Sequence, residues 1–179
     1  HYGFAAVLAS YLTGIALGSW AVSGRVDRLR DLPLAFALAH LGVALSVAVG
    51  ASVVPYLPYL VQQLSGWFPE STLHLHFALV FPLLVVPTAL FGAAFPILIR
   101  IYSESAATVG SGIGVATAVN TLGSIIGSLV LSFWWLPSFG IDTSLGLLLG
   151  LEFGIVVLVL ALYAKVPRAA RGSLVAGTV

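Results

Sequence analysis

The sequence predicts an all-α membrane protein, a bundle of about five transmembrane helices with its N-terminus out and its C-terminus in. Three observations carry this expectation. Hydrophobic residues make up 60% of the chain and charged residues 7%, whereas a soluble domain carries about a quarter charged residues to face water. The apolar residues fall into separate runs, each near the 20 or so residues that cross about 30 Å of hydrocarbon as a helix. The few charges sit between those runs, with all the positive ones expected on one side.

The first run extends from about Phe4 to Val22 and the second from about Pro33 to Val54. The third covers about Leu75 to Ile101, the fourth about Gly110 to Leu136, and the fifth about Thr143 to Ala164. None shows the polar-in, apolar-out alternation of a membrane barrel strand. Hydrocarbon leaves no water for open backbone groups, so helix is the remaining choice. Residues 1–165 are therefore expected to form one transmembrane domain, with 166–179 as a cytoplasmic tail or linker.

Arg25, Arg28 and Arg30 separate the first two runs, Arg100 ends the third, and Lys165, Arg168 and Arg171 follow the fifth. Five crossings place all seven on one face, which the positive-inside rule makes cytoplasmic. The opposite side receives Pro55 to His74 and the turn Pro137 to Asp142. The longer of these carries Tyr56, Tyr59, Trp67 and Phe68, a composition suited to an interfacial segment. Trp134 and Trp135 mark the outer end of the fourth run and Trp20 the inner end of the first, as an aromatic belt requires.

Several function classes drop out. The net charge of +1 is not gathered into a basic face, so no nucleic acid partner is expected. With no cysteine, disulfides, thiolate metal sites and cysteine nucleophiles are excluded. The chain opens on His1, contains no methionine, and lacks the basic n-region of a signal peptide. It is expected to be an internal segment of a longer chain. There is no G-x-S-x-G, P-loop or dinucleotide fingerprint. The glycines of Gly110-Ser-Gly112-Ile-Gly114 open a membrane helix instead of following a strand, which argues against a phosphate loop.

Two helices carry small residues at every fourth position, the spacing that lets helix backbones approach closely in lipid. In the first, Ser10, Gly14 and Gly18 align. In the fourth, Gly110, Gly114 and Ala118 are followed by Gly123 and Gly127, with Ser124 and Ser128 beside them. Packing within the chain is the expected use, and a partner or second copy is the alternative. Pro82, Pro87 and Pro96 in the third run each remove a backbone donor and should kink that helix.

Polar side chains at membrane depth are costly and mark functional candidates. Glu152 lies near the middle of the fifth run. It is read either as a proton or cation relay or partner contact, or, in the simpler role, as a carboxyl hydrogen-bonded to a neighbouring helix. His40, two turns into the second run, could ligate haem only with a second histidine at its depth, and a hydrogen-bonded core histidine is the simpler reading. His74 and His76, with Glu70 nearby, have donor atoms suited to zinc or copper. Their i, i+2 spacing on a helix points them apart, and an interfacial solvated pair is expected. Asn120 and Thr121 can hydrogen-bond across helices. No cofactor and no metal is expected from these residues.

Two stretches together resemble a known family. One is Tyr11-Leu-Thr-Gly-Ile-Ala-Leu-Gly-Ser19 followed by Gly24-Arg-Val-Asp27-Arg28. The other runs from Gly92-Ala-Ala-Phe-Pro96 to Arg100, then Gly114, Asn120-Thr-Leu-Gly-Ser-Ile-Ile-Gly127, and Leu136-Pro137-Ser-Phe-Gly140. Over about Tyr11 to Lys165 the chain resembles the membrane domain of transmembrane spermidine synthase-like proteins, the fused major-facilitator/spermidine-synthase type. The resemblance implies a multi-pass protein of the bacterial inner membrane, an additional helix before this segment, and a soluble aminopropyltransferase-like domain after it. The glycine-rich loop and acidic residues of that enzyme have no counterpart in these 179 residues.

The function expected is therefore a membrane anchor or scaffold domain, whose partners are the lipid bilayer and other membrane subunits or a second copy. Gly24 to Arg28 also resembles the cytoplasmic loop motif of major-facilitator transporters. That leaves transport of a small solute open, and an electron-transfer subunit using the histidines is the third alternative.

Overall fold

The computed structural model describes residues 2–66, 72–102 and 109–165. Among them there is no strand, and six α-helices follow one another: α1 Tyr2–Ser23, α2 Leu32–Val53, α3 Leu57–Ser65, α4 Thr72–Tyr102, α5 Val109–Val130 and α6 Leu136–Lys165. Short 3-10 turns at Val26–Arg28 and Val54–Tyr56 and a π segment at Leu131–Trp135 join them. The described part of the chain is thus all-helical, with four helical segments long and apolar enough to span a membrane: Gly3–Ser23, Leu32–Ser65, Phe77–Tyr102 and Gly110–Lys165.

The last of these holds 56 residues, which as a straight helix would extend about 84 Å, well beyond a bilayer core of about 30 Å. It does not run straight. Gly140 leaves the helical region with φ 73° and ψ 177°, the single positive φ among the described residues. That region is open essentially to glycine alone, so the break is written into one residue. The expected turn from Pro137 to Asp142 is correspondingly tighter than the sequence suggests, since the residues flanking Gly140 remain helical.

Long-range hydrogen bonds show which helix ends lie together. Asp27, in the turn after α1, accepts from Arg100 Nε near the end of α4 at 2.9 Å. Asp31, at the start of α2, accepts from the Tyr163 hydroxyl near the end of α6 at 2.6 Å. The C-terminal ends of α1, α4 and α6 and the N-terminal end of α2 therefore meet, bringing Arg25, Arg28, Arg30, Arg100 and Lys165 to one end of the molecule. α5 starts shortly after α4 finishes, at that same end, and α6 finishes there too, so the chain reverses between them at the Gly140 break inside α6.

Small residues build the interior. Ala37, Ala44, Ala94, Ile97 and Val156 are buried together with Ser10, His40 and Ser144. Large apolar side chains point out, among them Phe4, Trp20, Val49, Phe133 and Val157. In water this arrangement would forfeit the hydrophobic effect. In hydrocarbon it costs little, because helix association there depends on close van der Waals approach and interhelical hydrogen bonds.

The main seam joins α1 to α4. A Cβ added at Gly18 would fall on the Ala89 carbonyl, one at Gly14 on the Thr88 hydroxyl, and one at Gly92 on the Ile15 carbonyl. α4 runs as one helix through Pro82, Pro87 and Pro96. Next to Pro87, the Thr88 hydroxyl donates to the Leu84 carbonyl at 2.7 Å. The second seam joins α2 to both α4 and α6.

The segment expected as an interfacial loop contains the helix α3, and α4 begins earlier than expected, at Thr72. Pro55 and Pro58 occupy first-turn positions of the 3-10 turn and of α3, where a missing N–H costs nothing. Trp67 and Phe68 of that segment, the 166–179 tail with Arg168 and Arg171, and Glu70 fall outside the described residues.

Candidate functional site

α2 and α6 cross with one ionisable side chain each at the contact. His40 Nδ1 lies 2.6 Å from Glu152 Oε1. Depending on protonation, the imidazole N–H donates to the carboxylate or the carboxyl O–H donates to the ring nitrogen. His40 is only 7% exposed. Phe36, one turn before it, packs tilted at a ring separation of 4.4 Å, and Phe91 of α4 meets it edge-on at 6.1 Å. A lone polar group at this depth would be left unsatisfied in hydrocarbon. Each of these two supplies the other's partner.

Local helix periodicity explains why they meet. Ala37, His40 and Ala44 are buried at i, i+3 and i+7 on α2, so the imidazole lies on a buried stripe of small residues. On α6, Ser144, Glu152, Val156 and Tyr163 fall on one stripe, and Ser144 and Val156 are buried. The Ser144 hydroxyl is buried without a hydrogen-bond partner among the described residues. A helical serine ordinarily bonds the carbonyl four residues back, and that carbonyl belongs to Gly140, the residue that leaves the helix.

His40 also forms part of the wall of a cavity of about 370 Å³ between α2, α4 and α5. Phe36, Phe91, Phe95 and Tyr102 give it an aromatic lining, and Asn120 of α5 reaches it from the far side. A second cavity of about 480 Å³ lies between the end of α2, α3 and α4, lined by Val54, Leu57, Pro58, Val61, Leu79 and Val80. Its apolar wall offers nothing to orient a ligand.

The other sequence candidates divide. Gly14 and Gly18 are in the α1–α4 seam. Gly123 and Gly127 have no atom within 4 Å of where a Cβ would stand, so the intramolecular packing expected for them is not found among the described residues. The same openness extends to Gly146, Gly150 and Gly154 on α6, a four-residue repeat the motif reading missed although its spacing was visible. Thr121 bonds within its own helix, its hydroxyl donating to the Thr117 carbonyl at 2.8 Å, and not across helices as expected. The Asn120 side chain makes no hydrogen bond to a described residue, although its backbone carbonyl accepts from Ser124 at 2.8 Å. His74 and His76 lie in the first turns of α4, with their side chains outside the described set. Among the described residues no three His, Asp or Glu side chains gather as a metal site would require.

The pairing of His40 with Glu152 escaped the sequence reading, which weighed each residue alone. Depth would have supplied the signal. His40 lies about 13 Å along α2 from Asp31, and Glu152 about 20 Å along α6 from Lys165, counting 1.5 Å per residue from the basic end. Each is the one ionisable side chain in the middle of its span.

Comparison with protein-family models, curated proteins and solved structures finds no match to this chain.

Proposed function

We propose that the chain is the integral membrane anchor and scaffold domain of a spermidine synthase-like protein, crossing the bacterial inner membrane about five times with its basic end in the cytoplasm. The observation that carries this reading is spatial. The two sequence stretches that resemble the family are distant along the chain yet pack on each other. Gly14 and Gly18 of the first stretch lie against α4 beside Gly92 of the second, and Asp27 of the first pairs with Arg100 of the second. Motif glycines placed where backbones touch act as packing elements, and that is what a scaffold needs. The clustering of described basic residues at one end supports the cytoplasmic assignment, because five crossings bring those same ends together.

Intact mass and peptide mapping of the native protein, extracted from membranes in detergent, test the reading. A mass above 18.6 kDa with aminopropyl transfer in the soluble portion is expected. A native chain without that activity, or one released from membranes by carbonate without detergent, would overturn it.

A further inference from the structure

The cavity bounded by α2, α4 and α5 has a chemical character that packing does not explain. Two polar side chains face it with hydrogen-bonding capacity to spare. His40 is more than nine-tenths buried and commits Nδ1 to Glu152, leaving Nε2 with no hydrogen-bond partner among the described residues. Asn120 lies near the middle of α5 and is exposed, so the cavity opens outward on that side; its carboxamide makes no hydrogen bond to a described residue. In hydrocarbon such groups are costly, and nothing in a purely structural helix requires an asparagine there. Around them stand Phe36, Phe91, Phe95 and Tyr102, a surface suited to an apolar body.

We propose that this cavity binds an uncharged amphiphile from the bilayer, an apolar chain or ring bearing one hydroxyl or carbonyl group, held by hydrogen bonds to His40 and Asn120. The ligand is uncharged because no Asp, Glu, Lys or Arg lines the cavity and His40 is already bonded to Glu152 behind it. The described basic residues lie at the helix ends, so a charge in the cavity would meet no counter-charge. A hydroxyl or carbonyl fits because the carboxamide both donates and accepts, and the free imidazole nitrogen does either according to its tautomer. Glu152 occupies Nδ1, so Nε2 is the ring nitrogen left for a ligand. The inference goes beyond the scaffold reading, and neither depends on the other.

The test uses the full protein in phosphatidylcholine vesicles, photolabelled with dodecanol carrying a diazirine on its chain, beside the matching diazirine-bearing dodecane. The alcohol is expected to label Phe91–Tyr102 and Val115–Asn120 saturably, with unlabelled dodecanol competing, while the alkane labels without saturation. Asn120→Leu roughly preserves the volume and breaks no side-chain hydrogen bond to a described residue, so it should keep the wild-type thermal midpoint and weaken saturable labelling about five-fold, as loss of one hydrogen bond predicts. Ala116→Phe, which fills the cavity, should abolish saturable labelling. Equal and unsaturable labelling by alcohol and alkane, spread over outward residues such as Phe4 and Phe133, would show bilayer partitioning alone and overturn the proposal. Unchanged saturable labelling in Asn120→Leu would overturn the recognition by Asn120.

Discussion

Replacing Gly18 by alanine is the sharpest probe of how this bundle is held together. The added methyl carbon would stand 2.8 Å from Ala89 Cα and collide with the Ala89 carbonyl oxygen. Backbone cannot rotate away as a side-chain tip can, so α1 and α4 must separate by more than an ångström at that level. Overpacking of this kind costs about 1–3 kcal/mol, and prising two backbones apart along the seam places Gly18→Ala at the upper end. Alanine also gains helix propensity over glycine by up to about 1 kcal/mol, which sets the control. Gly127→Ala meets no atom within 4 Å and should be neutral or stabilising by that amount. The two substitutions, chemically identical and both within helices, should therefore differ by about 3 kcal/mol in unfolding titrations with SDS from mild-detergent micelles. Equal effects would refute the claim that the α1–α4 seam depends on glycine.

Four further outcomes follow from named contacts. A double-mutant cycle on His40→Ala and Glu152→Ala should give a coupling of about 1–2 kcal/mol in the same titration, and a value near zero would mean that the 2.6 Å contact contributes nothing. Gly140→Ala forces a side chain into a region reserved for glycine and should destabilise by about 1–3 kcal/mol, whereas Gly146→Ala should not, as thermal midpoints would show. Asp27→Asn breaks a bond to Arg100, but Asp27 is largely exposed, so the loss should stay below about 1 kcal/mol and shrink further in high salt. Because the chain has no cysteine, single cysteines at Arg30 and Gly66 can be labelled by an impermeant maleimide in right-side-out and inverted vesicles. Opposite accessibility is expected, and the same accessibility would break the five-crossing topology.

Much of the fold was legible in the sequence because lipid imposes a coarse rule. Runs long enough to span must be helical, and the helices α1, α2 and α4 begin and end within a few residues of the apolar runs that predict them. The rule weakens where hydropathy does not change. The turn expected over Pro137 to Asp142 does hold the break, but its narrowing to the single residue Gly140 is a matter of dihedral angles, which composition cannot show. Leu57 to Ser65 reads as a loop because of its prolines, yet proline in a first turn suits a helix. Small-residue spacing was equally visible in α1 and α5, but among the described residues the α1 glycines meet a neighbouring helix and those of α5 do not. A four-residue repeat says that a helix can be approached closely, and it does not say which element approaches.

What decides the difference is the facing surface. α4 meets α1 with Ala89 and Gly92, so backbone lies against backbone and dispersion accumulates along the whole seam. α2 meets α6 through hydrogen bonds, His40 to Glu152 within the bundle and Tyr163 to Asp31 at its end. α5 has neither arrangement. Its substantial helix neighbour is α4, whose surface there is Phe91, Phe95, Leu98 and Tyr102, large side chains that hold the two helices apart. Opposite them α5 offers Val115, Ala116, Val119 and Asn120, which leave the gap unfilled. The cavity is therefore the product of pairing an aromatic face with one of shorter side chains. It falls at the place where the imidazole bonded to Glu152 has a nitrogen to spare.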